Sequence, residues 1–257
     1  MRCYNAKRRA LDSTQKRFSH VANFTGYMRI AAEWFSEQHS GLRVLDLPAG
    51  NGLLTDALRA MGHEVTCGDI NRERADYHFV DMSARLPFDD ASFDAALCLE
   101  GVEHLVDPVV FIAELARLIR PGGHIVLSTP NVMSLYSRLH FLFTGAYYQF
   151  NPAAVPSVAP NEAADRGHVF PLSYFQLRYL FAHNGMQVAA VLGDKYKRKL
   201  LFPLYILLLP LVWLCTRMML LRQGDAPELA RNRNLLAHTL SMPLLFSRSL
   251  VLVLEKR

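Results

Sequence analysis

Residues 44–52 read Val44-Leu45-Asp46-Leu47-Pro48-Ala49-Gly50-Asn51-Gly52, and the rest of the chain is organised around them. The apolar start predicts a buried strand, and the periodic apolar residues of 53–61 predict a helix directly after the glycines. Glycine lets the backbone turn sharply and approach a ligand closely, and the first N–H groups of a helix are free to donate. Such loops bind nucleotide-like ligands in α/β folds. The same loop also serves as an ordinary tight turn, so its neighbours decide between the two interpretations.

Strands and helices alternate on both sides of this loop. The pattern predicts strands over 43–47, 64–67, 77–80, 93–99, 124–128, 186–192 and 249–256. It predicts helices over 53–61, 108–119 and 172–184, and a turn at Pro121-Gly122-Gly123. This alternation is typical of a parallel sheet that is covered by helices on both faces. At 257 residues the chain has room for one such domain and an insertion.

Acidic residues stand at the predicted carboxyl ends of four successive strands. They are Asp46, Asp69, Asp81 and Glu100. Ligands of parallel sheets bind beyond these ends, and four such acids are hard to explain as solvated loop residues alone. Asp69 is placed to accept both hydroxyls of a ribose. Asp81 and Met82 could face an adenine, with the carboxylate on the exocyclic amine, or Asp81 could cap a turn.

Five further motifs follow the glycine loop. They are Leu86-Pro87-Phe88, Ser92-Phe93-Asp94, Glu103-His104-Leu105, Arg120-Pro121-Gly122-Gly123 and Ser128-Thr129-Pro130-Asn131. With residues 44–52 they resemble, in order and spacing, class I S-adenosylmethionine-dependent methyltransferases over residues 40–131. The resemblance implies an α/β fold, a Rossmann-like sheet of seven strands with helices on both faces and an antiparallel last strand. It also implies transfer of a methyl group from S-adenosylmethionine.

The resemblance indicates which residues bind this cofactor. They are Asp46, Pro48, Ala49, Gly50, Asn51, Gly52, Asp69, Ile70, Asp81, Met82 and Leu99. The backbone of 49–51 would hold the amino-acid part of the cofactor, Asp69 the ribose, and Asp81 with Met82 the adenine. Pro48 departs from the family pattern, which usually has glycine there. Proline fixes φ at about −65° and removes an N–H, but the loop keeps its other glycines, so we expect cofactor binding to survive.

A second group of candidate residues follows the fourth strand. Glu100, Glu103 and His104 are spaced i, i+3 and i+4, so they share one face if a helical turn follows the strand. Two carboxylates and an imidazole are plausible ligands for Mg²⁺ or Zn²⁺. The segment resembles ubiquinone-pathway O-methyltransferases and small-RNA 2′-O-methyltransferases, in which this pattern binds a divalent ion beside the acceptor oxygen. In the RNA enzymes a later histidine completes the site, and His168 lies in the matching place.

The same residues have a metal-free interpretation. A Glu-His-Leu segment at this point is widespread among metal-free methyltransferases, where the histidine caps a turn or lines the substrate pocket. His104 could also act as a general base, because imidazole exchanges protons near neutral pH. In each interpretation Glu103, His104 and His168 are the candidate catalytic residues and face the methyl acceptor.

An apolar segment separates the sixth and seventh predicted strands. It is preceded by the basic residues Lys195, Lys197, Arg198 and Lys199. The uncharged run 200–216 is short for a membrane span, which needs about 20 residues, and a second apolar stretch, 235–246, is shorter still. Because the last strand must return to the sheet, we expect 199–246 to lie on or dip into one leaflet, with the basic residues at anionic headgroups. The alternatives are a buried helical hairpin or dimer interface, and a true span.

Composition and the amino-terminal segment limit which classes of protein this chain can belong to. The net charge of +5 suits an anionic partner. The four cysteines are scattered, which indicates free thiols in a reducing compartment, and residues 1–9 do not resemble a secretory signal. Apolar residues recur at helical spacing over 5–39 and predict one or two helices that cover the sheet edge and in part form a lid over the ligand.

These observations give four segments and one favoured function. The segments are a helical lid over 1–40, a Rossmann-like domain over 41–198, the apolar insertion over 199–246 and the last strand over 247–257. The favoured function is O-methylation of a small-molecule or lipid-linked acceptor, such as a glycolipid, a polyprenyl-linked glycan or a quinone precursor, by a peripheral or monotopic enzyme at the cytoplasmic face of a membrane. The alternatives are a metal-dependent RNA 2′-O-methyltransferase and a non-catalytic membrane-bound scaffold. The sequence shows no aromatic–basic module for RNA binding. The sequence leaves the oligomeric state open.

Overall fold

The computed structural model describes residues 23–71, 74–152, 167–196, 198–222 and 225–257. Within them a seven-stranded sheet has the order β3-β2-β1-β4-β5-β7-β6. The strands are β1 Arg43–Asp46, β2 Glu64–Asp69, β3 Tyr77–Phe79, β4 Phe93–Leu99, β5 Ile119–Pro130, β6 Met186–Gly193 and β7 Ser249–Lys256. Strand β7 is antiparallel to β5 and β6, and the neighbouring strands from β3 to β5 are parallel. This confirms the Rossmann-like fold.

Helices cover both faces of the sheet. They are α1 Gly26–Ser36, α2 Leu53–Ala60, α3 Pro108–Leu118, α4 Leu135–Thr144, α5 Tyr174–His183, α6 Phe202–Leu221, α7 Ala226–Thr239 and α8 Met242–Phe246. Short 3₁₀ helices lie at Val102–His104 and Lys199–Leu201. Helices α1 and α2 pack on one face, and α3, α5 and α8 pack on the other. The two apolar layers enclose the parallel strands, as fully buried apolar strands require.

Helix α1 is the described part of the expected lid, and residues 1–22 lie outside the described residues. Its side chains Tyr27, Ala31 and Phe35 are buried against the sheet layer that also holds α2. The Thr25 side chain accepts from the Met28 N–H and caps the helix. This helix therefore covers a face of the sheet. The connection over 153–166 also lies outside the described residues.

The turn expected at Pro121-Gly122-Gly123 is an irregular part of β5. Phe93 pairs with Ile119, whereas Ala95 already pairs with His124. Four residues of β5 therefore stand opposite Asp94 alone and bulge out of the sheet. The strand resumes its regular pairing at His124 and continues to Pro130, which carries it to the ligand edge.

The insertion consists of helices α6, α7 and α8. Residues Lys199–Leu221 form a helical segment that is long and apolar enough to cross a membrane by length and composition. An 18-residue stretch of it has a mean hydropathy of 2.0, and only 17% of that stretch is buried. Helix α6 packs on α7, and α8 packs on α4 and β6. Part of the insertion is thus docked on the domain, while one face of α6 is exposed.

Candidate functional site

The glycine loop between β1 and α2 is tied to the end of β2. The Gly50 N–H donates to Asp69 Oδ2 at 2.8 Å, and the Ala49 N–H donates to the Gly68 carbonyl at 3.0 Å. Gly52 begins α2 with φ +74°, a conformation that only glycine adopts easily. An added Cβ there would lie 2.8 Å from the Tyr77 hydroxyl oxygen. The loop is therefore closely packed around the carboxylate that was expected to bind a ribose.

Asp69 is buried, and neighbouring donors hold its carboxylate. Its Oδ1 accepts from the Asn71 N–H at 2.9 Å and its Oδ2 from the Gly50 N–H at 2.8 Å. Burial raises the pKa of the Asp69 carboxyl, and these N–H groups, together with the Ile70 N–H and the Asn71 side chain, oppose the rise by stabilising its charged form. A ribose diol would donate to the same carboxylate. The geometry fits the expected role of Asp69.

Asp46 bonds within the fold. It is buried, and the Thr55 hydroxyl on α2 donates to its Oδ2 at 2.6 Å. Burial raises the pKa of Asp46 to about 7. This hydrogen bond joins β1 to the first turn of α2 and so fixes the helix start beyond the glycine loop. Asp46 therefore positions the loop, whichever contact it makes with a ligand.

Pro48 brings the glycine loop against the end of β4. The Leu47–Pro48 peptide bond is cis. The proline ring lies so close to Gly101 that a Cβ on Gly101 would be 2.6 Å from Pro48 Cδ. Real Cβ atoms do not approach other atoms this closely, so the two residues depend on each other. Leu99 ends β4 beside this contact, and Ile70 follows β2; both are partly buried.

Asp81 lies in a turn and is exposed. Its Oδ1 accepts from the N–H and from the hydroxyl of Ser83, at 2.8 and 2.5 Å. This is the turn-capping arrangement that was the alternative to an adenine contact. Met82 is partly buried and packs on the main core. The structure thus brings residues 46–52 and 69–71 together, while Asp81 is held by its own turn.

Glu103, His104 and His168 converge on the other side of the β4 end. One ligand atom of each lies within 4.8 Å of the others. Glu103 is fully buried; its Oε2 accepts from the Thr129 hydroxyl at 3.1 Å, and its Oε1 has no hydrogen-bond partner among the described residues. His168 Nε2 lies 4.0 Å from that free oxygen, and the two imidazole rings meet edge to face at 4.9 Å. Burial, with the nearby Glu100 charge, raises the pKa of Glu103 well above its usual range.

Glu100 lies apart from this cluster. It precedes the 3₁₀ helix Val102–His104 and has φ +51°, so the expected helical turn that would align it with Glu103 and His104 does not form. Its Oε1 accepts from the Ser128 hydroxyl at 3.1 Å. Burial raises the pKa of Glu100 to about 7. The carboxylate therefore belongs to a separate polar group on the same edge.

Sequence reasoning missed several residues that shape the site. Asn71 Nδ2 and the Tyr77 hydroxyl both donate to the Gly50 carbonyl, at 3.3 and 3.2 Å, and so fix the glycine loop. Thr129 orients Glu103. Thr129 lies in the quoted Ser-Thr-Pro-Asn motif, so the sequence indicated its place at the strand end. Its partner could not be predicted, because it depends on the register between β4 and β5. Asn71 and Tyr77 carry no sequence signal beyond their nearness to Asp69.

The fold and this edge together define a class I methyltransferase architecture. Residues 45–127 match a protein-family model described as methyltransferase domain. This part of the chain is thus similar to a methyltransferase domain, in agreement with the motifs. The matched residues run from β1 through β5 and include the glycine loop, Asp69 and Glu103.

Known proteins support this assignment. A ubiquinone biosynthesis O-methyltransferase from Alkalilimnicola ehrlichii is 35% identical over 35% of this chain and 42% of that protein; one from Xanthomonas oryzae is 36% identical over 36% and 44%. The chain spans less than half the length of these relatives. A solved S-adenosylmethionine-dependent methyltransferase from Archaeoglobus fulgidus has a TM-score of 0.52 and 18% identity over 89% of this chain and 91% of that one, which shows the shared fold.

Proposed function

We propose that this chain is an S-adenosylmethionine-dependent O-methyltransferase. The observation that carries the proposal is the buried Asp69, which accepts from the Gly50 N–H and so ties the glycine loop to the end of β2, where the ribose of the cofactor would bind. The bound cofactor supplies a sulfonium methyl group, which is already a good donor. The protein has to align the acceptor oxygen with that methyl group and take up the acceptor proton. Glu103, His104 and His168 lie at the neighbouring strand end and are the groups available for this.

Calorimetry with S-adenosylhomocysteine tests the cofactor half of the proposal. We expect Asp69→Ala to weaken binding about 10- to 100-fold, because two hydrogen bonds to a charged group are lost. Glu33→Ala removes an exposed carboxylate on α1 and should leave the affinity unchanged. Asp81→Ala tests the role of Asp81. If this carboxylate contacts the adenine, the substitution should weaken binding; if it only caps its own turn, the affinity should stay unchanged. Absence of binding to the wild-type chain at millimolar ligand would contradict the proposal.

We also propose that Glu103, His104 and His168 hold a divalent metal ion. The set fits, because a fully buried carboxylate oxygen lacks a partner and two imidazoles lie beside it. Two nitrogens and one oxygen suit Zn²⁺ better than Mg²⁺, which prefers oxygen ligands. A bound ion would lower the pKa of an acceptor hydroxyl. Without an ion, the same imidazoles are the proton acceptors.

Zinc binding by the wild-type chain and by Glu103→Gln separates these two cases. The variant keeps the shape of the site but removes the carboxylate that would bind the ion as an anion, so Zn²⁺ affinity should fall at least about 10-fold. Because burial raises the pKa of Glu103, a proton competes with the ion, and wild-type affinity should rise with pH. Glu114→Gln changes a carboxyl that is ion-paired with Arg117 on α3 and is the matched control. Equal affinity in Glu103→Gln and wild type would rule out this site.

The acceptor is proposed to be an amphipathic molecule at a membrane surface. The apolar surface of α6 includes Ile206, Leu207 and Leu211, which are 64%, 76% and 57% exposed. The exposed end of α4, Phe141-Leu142-Phe143, belongs to a helix that packs with α6 around the buried Tyr205. Large exposed apolar patches mark interaction surfaces. The adjoining Lys199, Arg198 and Arg217 carry the charge that an anionic leaflet attracts.

The position of α4 connects this surface with the acceptor side of the domain. Helix α4 begins four residues after Asn131, at the end of β5, where Thr129 contacts Glu103. A lipid-linked acceptor held at the apolar surface would therefore approach the cluster from the β5 side. A nucleic-acid acceptor has no comparable support in the described residues, since the exposed face of α6 is apolar. This favours a quinone precursor or a lipid-linked glycan, at the cytoplasmic face of a membrane.

A further inference from the structure

Arg198 lies where the chain leaves β6 for the apolar insertion, and its side chain stacks on two aromatic rings. Its Cζ atom lies 4.8 Å from the centre of the Tyr136 ring and 6.0 Å from the centre of the Tyr148 ring. The two tyrosine rings meet edge to face at 4.8 Å, so they form one aromatic platform. Stacking holds a guanidinium in one orientation and leaves the N–H donors on its edges free. The Arg198 side chain is thus positioned before any ligand binds.

The donors of this guanidinium have no partner within the described part of the chain. Among those residues the Arg198 side chain makes no hydrogen bond and no ion pair, and the residue is exposed. The nearest acid along the chain, Asp194, accepts from the Ser249 N–H at 2.8 Å. Lys195 and Lys199 add positive charge on either side of Arg198 in the sequence. A fixed cation among other cations suits an anion from outside the chain.

The hydroxyl of Tyr205 is a second unsatisfied group next to the platform. Tyr205 is 2% exposed, and its hydroxyl has no hydrogen-bond partner among the described residues. Its ring packs on Phe202 and Phe246 at 6.0 and 5.9 Å, in the small core that Tyr136 also contacts. Burial raises the pKa of Tyr205, Tyr136 adds to the rise, and the charge of Arg198 opposes it. Buried hydroxyls normally have a partner, so this one is available to a ligand that enters the cluster.

The stacked guanidinium lies between the apolar helix and the acceptor side of the domain. It directly precedes the 3₁₀ turn that leads into α6, whose exposed face is apolar. On the other side, the Tyr148 N–H donates to Ser137 Oγ at 3.1 Å, which joins the platform to α4. Two residues further on, the Phe150 ring lies 5.5 Å from the ring of His168 in the Glu103 cluster. An anion bound here would therefore lie at the base of α6 and close to the residues that border the cluster.

We propose that Arg198, held on Tyr136 and Tyr148, binds the phosphate group of a membrane lipid. The proposal rests on the proposed function at a membrane surface, and it assigns recognition of the lipid head to one residue. A guanidinium donates two parallel N–H bonds to a phosphate, and the Tyr205 hydroxyl can supply a further donor. The apolar chains of the lipid would lie along the exposed face of α6. A phospholipid of the leaflet and a phosphate-linked methyl acceptor share this group, so the experiment includes both.

Calorimetry on the full chain with soluble, monomeric lipids tests the proposal. Dioctanoyl phosphatidic acid carries the phosphate and the chains, dioctanoylglycerol has the chains alone, and glycerol 3-phosphate has the phosphate alone. We expect the wild-type chain to bind phosphatidic acid more tightly than either of the others. Arg198→Gln should weaken phosphatidic acid binding about 10-fold and leave dioctanoylglycerol binding and the thermal unfolding midpoint unchanged. Arg29→Gln removes an exposed cation from α1 and should change none of these values.

Two further pairs of variants separate a built site from general attraction of charge. Arg198→Lys keeps the charge but loses the planar fork, so it should recover only part of the affinity. Tyr136→Leu removes the platform and should weaken phosphatidic acid binding several-fold, whereas Tyr136→Phe keeps the ring and the affinity. Lys199→Gln removes the next cation and should cost less than Arg198→Gln. Equal losses in Lys199→Gln and Arg198→Gln would overturn the proposal, because that pattern indicates unspecific attraction.

The remaining arms identify the source of the phosphate. Farnesyl phosphate that binds more tightly than phosphatidic acid would assign the site to a phosphate-linked isoprenoid acceptor, and the reverse order to a phospholipid. Glycerol 3-phosphate that binds as tightly as phosphatidic acid would overturn the proposal, since the chains would then contribute nothing. Absence of phosphatidic acid binding in a chain that binds S-adenosylhomocysteine would also overturn it and leave the methyltransferase function standing. Failure to bind S-adenosylhomocysteine would instead contradict the proposed function.

Discussion

Asp46 is a buried acid whose charge opposes folding. Burial raises its pKa to about 7, compared with about 3.9 in an unfolded chain. The folded state therefore keeps a proton that the unfolded state releases between these values. The stability that this gives is present at low pH and is lost as the pH rises through 7, by up to about 4 kcal/mol. The hydrogen bond from Thr55 offsets part of this cost.

Asp46→Asn should remove this contribution, because a neutral amide oxygen still accepts from Thr55. Urea unfolding from pH 4.5 to 8 should show a variant whose advantage over wild type grows with pH and levels off above 7. Glu100, whose pKa is also about 7, contributes in the same direction in both proteins and cancels in the difference. Asp56→Asn is the opposite control, since Arg74 lowers the pKa of Asp56 and its contribution is lost as pH falls. A pH-independent difference for Asp46→Asn would refute the assignment.

For single residues, the sequence predicted the contacts correctly where the spacing along the chain determines which residues lie close together in the fold. Asp69 is the last residue of β2 and accepts a hydrogen bond from the glycine loop after β1. The two are close because β1 and β2 are parallel neighbours in the sheet. Asp81 looks equivalent in the sequence, but Ser83, two residues on, supplies local donors, and the carboxylate stays in its own turn. Glu100 was placed with Glu103 on spacing alone, and its left-handed backbone breaks that spacing. Thr129 reaches Glu103 from β5, a separate segment, so no local pattern could identify this contact.

Asn131 joins the end of β5 to the end of the insertion. Its Nδ2 lies 3.1 Å from the carbonyl oxygens of Pro243, Leu244 and Ser247, and its Oδ1 accepts from the Met133 N–H at 3.1 Å. It is buried, so these carbonyls have little access to water. One side chain thus fixes the turn from α8 into β7 against the parallel strands. The return of the chain to the sheet depends on it.

Asn131→Ala should therefore lower the free energy of unfolding by about 2–3 kcal/mol, because several buried polar groups lose their partner. Asn131→Asp should cost more, since a carboxylate would then face three carbonyl oxygens. Asn184→Ala removes one amide bond, to the Leu180 carbonyl at the end of α5, and should cost about 1 kcal/mol. Urea unfolding of the three variants measures the order. The assignment fails if Asn131→Ala is no more destabilising than Asn184→Ala.

Element bounds were more predictable than element roles. The period of apolar residues located β4 and β7 at the residues where the structure has them, and β1, β2, β3 and β6 within two residues. It placed the start of β5 at His124 instead of Ile119. The same period identified 200–216 as an apolar segment. It predicted neither the polar first half of α7 nor the contact of α7 with α5 through Tyr174 and His238. That contact depends on tertiary packing between residues more than 60 positions apart. Helical periodicity thus predicts where a helix lies and says little about what covers it.

At the scale of the whole molecule, the sheet limits how the chain can meet a membrane. Strand β7 pairs with β5 and β6 along its whole length, so the chain that leaves the domain after β6 returns to it. Helix α7 bonds α5 through Tyr174 and His238, and α8 is held by Asn131. A single span by α6 would place α7 on the far side of the membrane, where these contacts are impossible. The strand pairing therefore supports the proposed position of α6 in one leaflet over a membrane span.

Cys215 on α6 is a natural reporter for this arrangement. It is exposed, whereas Cys67 and Cys98 are buried. In a Cys3→Ser background, maleimide should label Cys215 readily in buffer and several-fold more slowly with phosphatidylcholine–phosphatidylglycerol vesicles, because the thiol enters the leaflet. Vesicles of phosphatidylcholine alone should protect it less, since the basic residues then lose their attraction.

The matched control carries Cys3→Ser, Cys215→Ser and Glu33→Cys. The new thiol is exposed on α1, in the helix layer opposite α8, and its labelling should be the same with and without vesicles. Slower labelling at both positions would indicate depletion of maleimide by lipid. Unchanged labelling of Cys215 would refute the leaflet position of α6, and the acceptor would then have to reach the Glu103 cluster from solution. Protection of Cys215 alone would place the site at the membrane surface, where an amphipathic acceptor can reach it without leaving the leaflet.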